Sequence, residues 1–234
     1  MYPSSTFRLA LACLLFLVLS LGSSGQRSLQ FVPLWKNRTI DSLPCTFSES
    51  GNDSTRIDLV RFYCHGFTFY QRGELIWRGD KDHYLVDFSD ENSLLLNFPI
   101  PHTASIDEVI FYIGVDSTMQ MNGAHGGTLD PIQGMYWTWQ SGYIHCKIEA
   151  QQMFDSMRDT VIWHIGGYRK PFNTIREVYL KSNDKSELMR VGIQLDRMFS
   201  ADLNRDNYTI MSPSAAACEH ANQFVTCFKW YNAQ

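Results

Sequence analysis

The side chains of this 234-residue chain that could hold a ligand or a metal are imidazoles, indoles and thioethers. Seven histidines occur, His65, His83, His102, His125, His145, His164 and His220, and none stands in an HxxxH or HExxH spacing. In a β protein, metal ligands come from separate strands and loops, so spacing alone does not assemble them. His164 stands out by context. It follows Trp163 at the end of an apolar run and precedes Gly166-Gly167, where the backbone must turn or come close to another group. Trp137 and Trp139 share one parity, so both rings fall on one face if their segment is extended. The plain reading of that pair is core anchoring. The functional reading is a wall or contact of a metal site, by cation–π attraction or after oxidation. Both tryptophans lie in the stretch from Phe111 to His145, where glycines and aromatics crowd between two apolar runs. Flexible backbone and large rigid rings are poor choices for a mere connector, and the stretch is a candidate site.

Signatures of catalysis are missing. There is no GxSxG, and Asp87, Asp107, Asp116 and Asp130 form no acid/base pair by pattern. Asp130-Pro131 reads as a turn, and Asp116 as a brace for the loop that follows it. No CxxC supports a zinc knuckle or a thioredoxin site. The pattern points to a binding protein and not to an enzyme.

The elements that must position these residues are short strands. Arg56 to Tyr70 is rich in β-branched and aromatic residues. Leu75–Trp77, His83–Phe88, Ser93–Phe98, Val109–Val115, Gly142–Ala150, Thr160–Ile165, Arg176–Leu180 and Leu188–Leu195 continue the pattern, with turn residues such as Gly79-Asp80 between them. Within Gly142–Glu149, alternation sends Ile144, Cys146 and Ile148 to a core face and Tyr143, His145 and Lys147 to the other. Ala217, Ala221, Phe224 and Phe228 keep a helical spacing, which predicts one short helix near the C-terminus. Many short strands without alternating long helices predict an all-β chain, an antiparallel β-sandwich with a short C-terminal helix. No repeat or linker divides it, and residues 26–234 read as one domain.

Residues 1–25 read as a signal peptide. Arg8 supplies the positive end, Leu9–Leu21 the apolar run, and Ser23 and Gly25 the small residues before a cut at Gln26. That run falls short of the roughly 20 apolar residues of a membrane span, so the mature chain is expected to be secreted, or periplasmic in a bacterium, with no membrane partner. The formal net charge is −4, and loss of Arg8 makes it one unit more negative. A mildly acidic, mixed-sign surface excludes nucleic acid as a partner. Cys13 leaves with the leader and Cys45, Cys64, Cys146, Cys218 and Cys227 remain. In an exported chain Cys218–Cys227 is the first expected bridge and Cys45–Cys64 the second, which leaves one thiol over. Sequons at Asn37, Asn52 and Asn207 lie in polar, loop-like stretches that suit glycosylation.

Several pieces, in order, resemble the MbnP-like copper-binding family: LVRFY, YLVD at Tyr84–Asp87, IGVDS at Ile113–Ser117, GTLDP at Gly127–Pro131, GMYWTWQSGYI at Gly134–Ile144 and HIGGY at His164–Tyr168. The closing MSPSAAACEHANQF is similar to that family's last helix. The resemblance implies a β-sandwich-like fold and a copper site. It also implies histidine ligands near a tryptophan that a partner di-haem enzyme oxidises to kynurenine. Imidazole suits copper, and two histidines can hold Cu(I) at low coordination number. Kynurenine would add a carbonyl and an aromatic amine where indole offers only an N–H.

By that resemblance His164 is the HIGG histidine, and Trp137 and Trp139 are the paired tryptophans. A second histidine, which follows an Asn in some relatives, falls on Met121 here. His125, a little further on in a Gly-flanked loop, can take the role, and Met121 is itself a soft ligand. His83 stands beside Tyr84, where the family often has histidine, but the offset reverses its strand parity. The leading expectation is a secreted copper-binding protein that stores, scavenges or delivers the ion. The alternative is a glycosylated extracellular interaction module with the same fold and no metal.

Overall fold

A computed structural model describes residues 26–48, 53–79, 82–139, 142–154, 157–181, 188–199 and 208–231. The signal segment and the sequons at Asn52 and Asn207 lie outside the described residues. In chain order the strands are β1 (Arg27–Trp35), β2 (Arg38–Thr39), β3 (Cys45–Ser48), β4 (Ser54–Gln71), β5 (Glu74–Arg78), β6 (His83–Asp87), β7 (Leu95–Phe98) and β8 (Glu108–Ile113). A short helix α1 (Ser117–Met121) follows, then β9 (Tyr136–Trp137), β10 (Gly142–Phe154), β11 (Met157–Gly166), β12 (Arg176–Lys181), β13 (Leu188–Gln194) and β14 (Thr209–Ile210). Helix α2 (Ala215–Val225) and β15 (Phe228–Trp230) close the chain. No described helix is long and apolar enough to cross a membrane.

Two sheets form the sandwich. The smaller runs β15-β13-β1-β2, with β7 also on β1; the larger runs β12-β8-β4-β10-β11-β14, with β3, β5, β6 and β9 attached. Most pairings are antiparallel, as expected, but β1–β13 and β11–β14 are parallel, so the sheets are mixed. Tight turns set the register of two hairpins. Lys36-Asn37 and Arg72-Gly73 both place two consecutive residues at positive φ, as a two-residue hairpin compatible with strand twist requires. Asn37 is therefore an exposed turn residue, and its side-chain oxygen accepts from Lys229 Nζ at 2.7 Å.

The long strand β4 is the hub. On one edge it carries β10 along residues 54–62 and β8 along residues 64–70, while β6 spans residues 61–65 on the opposite edge. Strands β8 and β10 therefore lie in line and meet beside Tyr63. Two bulges mark this junction. On β4 the register slips between His65 and Thr68, at Gly66 with φ +65. On β10 it slips between Ile144 and Cys146, so His145 is the extra residue.

The second bulge overturns one expected alternation. Cys146 and Ile148 face the main core, but Ile144 joins a second cluster with Tyr63, Met135, Trp137 and Tyr143 on the other side of the large sheet. An inserted residue reverses strand parity, so residues before and after it cannot share a face. The cysteine pairs also need correction: all five described cysteines are free thiols. Cys218 lies in the first turns of α2 and Cys227 beyond its end, and the helical rise of about 1.5 Å per residue holds them too far apart to bridge. Cys45 pairs across from Ile57, and Cys64 is two turns of pleat or more further along the same β4.

The main core joins the sheets through aromatic edges. Phe31 of β1 makes T-shaped contacts with Phe62 of β4, Phe111 of β8 and Phe228 of β15 at 5.6–6.3 Å between centroids. Such pairs add about 0.5–1.5 kcal/mol each beyond burial. Phe31→Ala should lower unfolding free energy by about 3–5 kcal/mol, as expected for a fully buried phenylalanine. Urea denaturation followed by near-UV circular dichroism measures it, and a loss below about 1 kcal/mol would show that this ring does not clamp the sheets.

Candidate functional site

Where β8 and β10 meet, two imidazoles flank Gly114, and a third, His83, stacks on one of them. The chain leaves β8 through Gly114 at φ +115, a conformation L side chains rarely adopt. Its N–H donates to the Tyr63 carbonyl at 2.8 Å, and its own carbonyl accepts from His65 Nδ1 at 2.9 Å. On its Cα side lies the His145 ring, so close that a Cβ on residue 114 would fall 2.8 Å from Nδ1. Glycine is required here twice, by backbone angle and by space.

His145 is fully buried, and its hydrogen bonds define its tautomer. Thr174 Oγ1 donates to the Gly167 carbonyl at 3.3 Å, so at 2.9 Å from His145 Nδ1 it must accept. Nδ1 therefore carries the proton. Nε2 accepts from the Gln120 amide nitrogen at 2.6 Å, whose second hydrogen goes to the Val115 carbonyl. Gln120 Oε1 in turn accepts from the Tyr143 N–H. Every polar atom of this group is satisfied without a charge. Burial, with His65 close by, pushes the His145 pKa down to about 3.

His65 and His83 face each other across β4 and β6, their rings near-parallel with centroids 5.0 Å apart. Tyr112 stacks near His65 as well, at 5.6 Å. Because the Gly114 carbonyl can only accept, His65 holds its proton on Nδ1 and presents the Nε2 lone pair. Burial is the main cause that lowers its pKa, so the ring is neutral near pH 7. His83 Nε2 lies 3.1 Å from Asp116 Oδ2 and 3.5 Å from the Asp116 N–H. The carboxylate contact decides, because two lone pairs at that distance repel; Nε2 is protonated and donates. Asp116 Oδ1 accepts from the N–H groups of Thr118 and Met119, so one carboxylate caps α1 and holds His83.

The residues singled out from the sequence are only partly brought together. Trp137 and Trp139 touch, at 6.0 Å between ring centroids, but do not share a face: Trp137 is 2% exposed and Trp139 65%. Strand β9 is two residues long and the chain turns at once, so the parity argument fails. Trp137 packs over Gly166, where a Cβ would meet its ring at 2.8 Å. His164 lies two residues along β11 on that same face, about 7 Å away along the strand. Its Nε2 is 2.9 Å from Glu149 Oε1. Burial lowers the His164 pKa and the carboxylate opposes this. His125 donates from Nε2 to the Met119 carbonyl at 2.9 Å, and its N–H donates to the Tyr143 hydroxyl. Met121 is exposed at the end of α1. Among the described residues no three His, Cys, Asp or Glu side chains converge into a metal-sized group. The pairing of His65 with His83 was beyond sequence reasoning, because it needs the β4–β6 register; Gln120 and Thr174 carry no motif at all.

The family described as MbnP matches residues 24–215 of the chain. No curated protein matches it. Among solved structures, MbnP from Methylosinus trichosporium is similar, with a TM-score of 0.54 and 15% identity over 75% of this chain and 77% of that one. At that identity the likeness speaks for the fold.

The buried imidazole makes stability depend on pH. Between about 3 and the ordinary value of 6.5, unfolded His145 binds a proton that the folded ring refuses. Stability should therefore fall as pH drops through that window, by up to about 1.4 kcal/mol per unit from this group. NMR of the ring should show no titration of His145 from pH 7 to pH 4.5. A midpoint near 6.5 would remove the neutral network described above.

Proposed function

The chain belongs to the MbnP family, and from that premise we propose that it is an exported copper-binding protein that stores, scavenges or delivers the ion without turnover of its own. The observation that carries this reading is the His65–His83 pair. Each ring has one nitrogen engaged by a group that fixes its tautomer, the Gly114 carbonyl for His65 and the Asp116 carboxylate for His83. That is the outer-shell arrangement of metal-bound histidines, and it leaves Nε2 of His65 as a lone-pair nitrogen turned from the Gly114 carbonyl. Bound copper would supply a soft cation that two neutral imidazoles satisfy at low coordination number. The rings are stacked, so holding one ion between them requires rotation out of the stack. Burial keeps His65 neutral and ready.

His164 with Glu149 is the competing station suggested by the family motif, and Trp137, packed over Gly166 two residues along the same face, would be its apolar wall. We favour the inner pair because there two imidazoles meet. If a tryptophan is oxidised to kynurenine, Trp139 is the accessible ring and Trp137 the one reached through it.

Competition of Cu(I) against a chromogenic chelator separates the stations. His65→Ala and His83→Ala should each weaken binding more than about 100-fold, and Asp116→Asn about tenfold, the usual scale for an outer-shell partner. His164→Ala should stay near the unsubstituted protein. Loss confined to His164→Ala moves the site to the outer face. Full affinity in folded His65→Ala and His83→Ala proteins, or no binding in the parent, leaves the metal-free interaction module as the reading. N-terminal sequencing of the secreted protein should begin near Gln26.

A further inference from the structure

We propose that a second site, a cleft between the 167–172 loop and Trp137, binds a small aromatic molecule that carries a carboxylate. The cleft has a volume of about 350 Å³, within the roughly 300–1,000 Å³ of small-molecule sites. Among the described residues its lining holds two cations, Arg169 and Lys170, and no carboxylate, although acidic residues outnumber basic ones in the chain. The guanidinium of Arg169 lies 5.0 Å over the Tyr168 ring, which restrains it before any ligand arrives. Trp137 and Phe172 supply aromatic wall, and Phe172 remains 37% exposed. Cations beside aromatic faces, with no competing acid, select a planar apolar body with an anionic end.

The cleft is built rather than incidental. Gly167 takes φ +134, and a Cβ there would lie 2.3 Å from the Phe172 carbonyl oxygen and 3.0 Å from Pro213 Cβ, so the loop closes only on glycine. The Gly167 carbonyl accepts from both the N–H and the hydroxyl of Thr174, which holds His145 Nδ1. Gln120, on the other side of the cleft, holds His145 Nε2. One buried imidazole thus ties both walls together, and a ligand meets a preorganised cleft. His65 and His83 are absent from its lining, so this site stands apart from the proposed copper pair.

Indole-3-acetate, with indole-3-acetamide as its neutral counterpart, tests the proposal on the mature metal-free protein by ¹H–¹⁵N chemical-shift titration. The acid should bind at least about tenfold more tightly than the amide, with shifts centred on residues 167–172, Gln120 and the Trp137 indole. The double variant Arg169→Gln, Lys170→Gln alters exposed side chains and should erase that preference, while Phe172→Ala should weaken both probes alike. Unchanged circular dichroism certifies each variant as folded. The proposal is overturned by equal binding of acid and amide, by a preference that survives the double variant, by shifts elsewhere, or by no binding at about 10 mM.

Discussion

A neutral imidazole fully buried in the protein needs a donor and an acceptor beside it, and His145 imposes that demand on everything around it. Leaving either nitrogen unpaired would cost about 1–3 kcal/mol. Gln120 from α1 answers one side and Thr174 from the segment after β11 answers the other. Two stretches of chain far apart in sequence are therefore held against β10 by one ring. The bulge that buries His145 is what creates the demand, and the absent side chain of Gly114 is what leaves room for it. A polar network of this kind rigidifies its neighbourhood only if all of it is satisfied, and here each atom has its partner.

The large sheet consequently works on both faces. Its inner face meets the small sheet through phenylalanines and aliphatic residues. Its outer face carries a smaller apolar cluster, Tyr63, Val115, Leu129, Met135, Trp137, Tyr143 and Ile144, which is the underside of the 114–139 segment. That segment is thus a packed lid and not a free loop. Tyr143 pins it by donating to the Leu129 carbonyl and accepting from the His125 N–H, and Tyr63 donates to the Thr128 carbonyl. Polar and aromatic residues at its rim are held by rigid neighbours, the condition under which a loop can carry a binding site.

Much of this architecture was legible because alternation is a local signal. The runs around β4, β6, β8, β10, β11 and β12 declare themselves by apolar spacing, and Ser214 capping α2 agrees with its helical pattern. Strand β1 was not legible: Pro33 argues against a central strand, yet β1 lies between β13 and β7. Its place depends on parallel pairing with a strand more than a hundred residues away. The parity errors share one cause. A bulge at His145 and a turn after Trp137 each interrupt the two-residue period, and no residue type announces either. Proximity in sequence misled for Cys218 and Cys227 because a helix keeps its ends apart. The family motifs, by contrast, led to the right fold, although their histidine, His164, stands on the outer face with a carboxylate partner.

The proposed copper pair rests on parts the fold already needs. Asp116 would be required as the cap of α1 even if His83 were absent, since its Oδ1 satisfies two of the helix's unpaired N–H groups. Gly114 would be required for its backbone angle and for the clearance of His145 even if His65 donated nothing to its carbonyl. The groups that orient the two imidazoles are thus required by the fold in their own right. Changing His65 or His83 removes an imidazole without removing a cap or a corner, whereas changing Gly114 or Asp116 disturbs both at once.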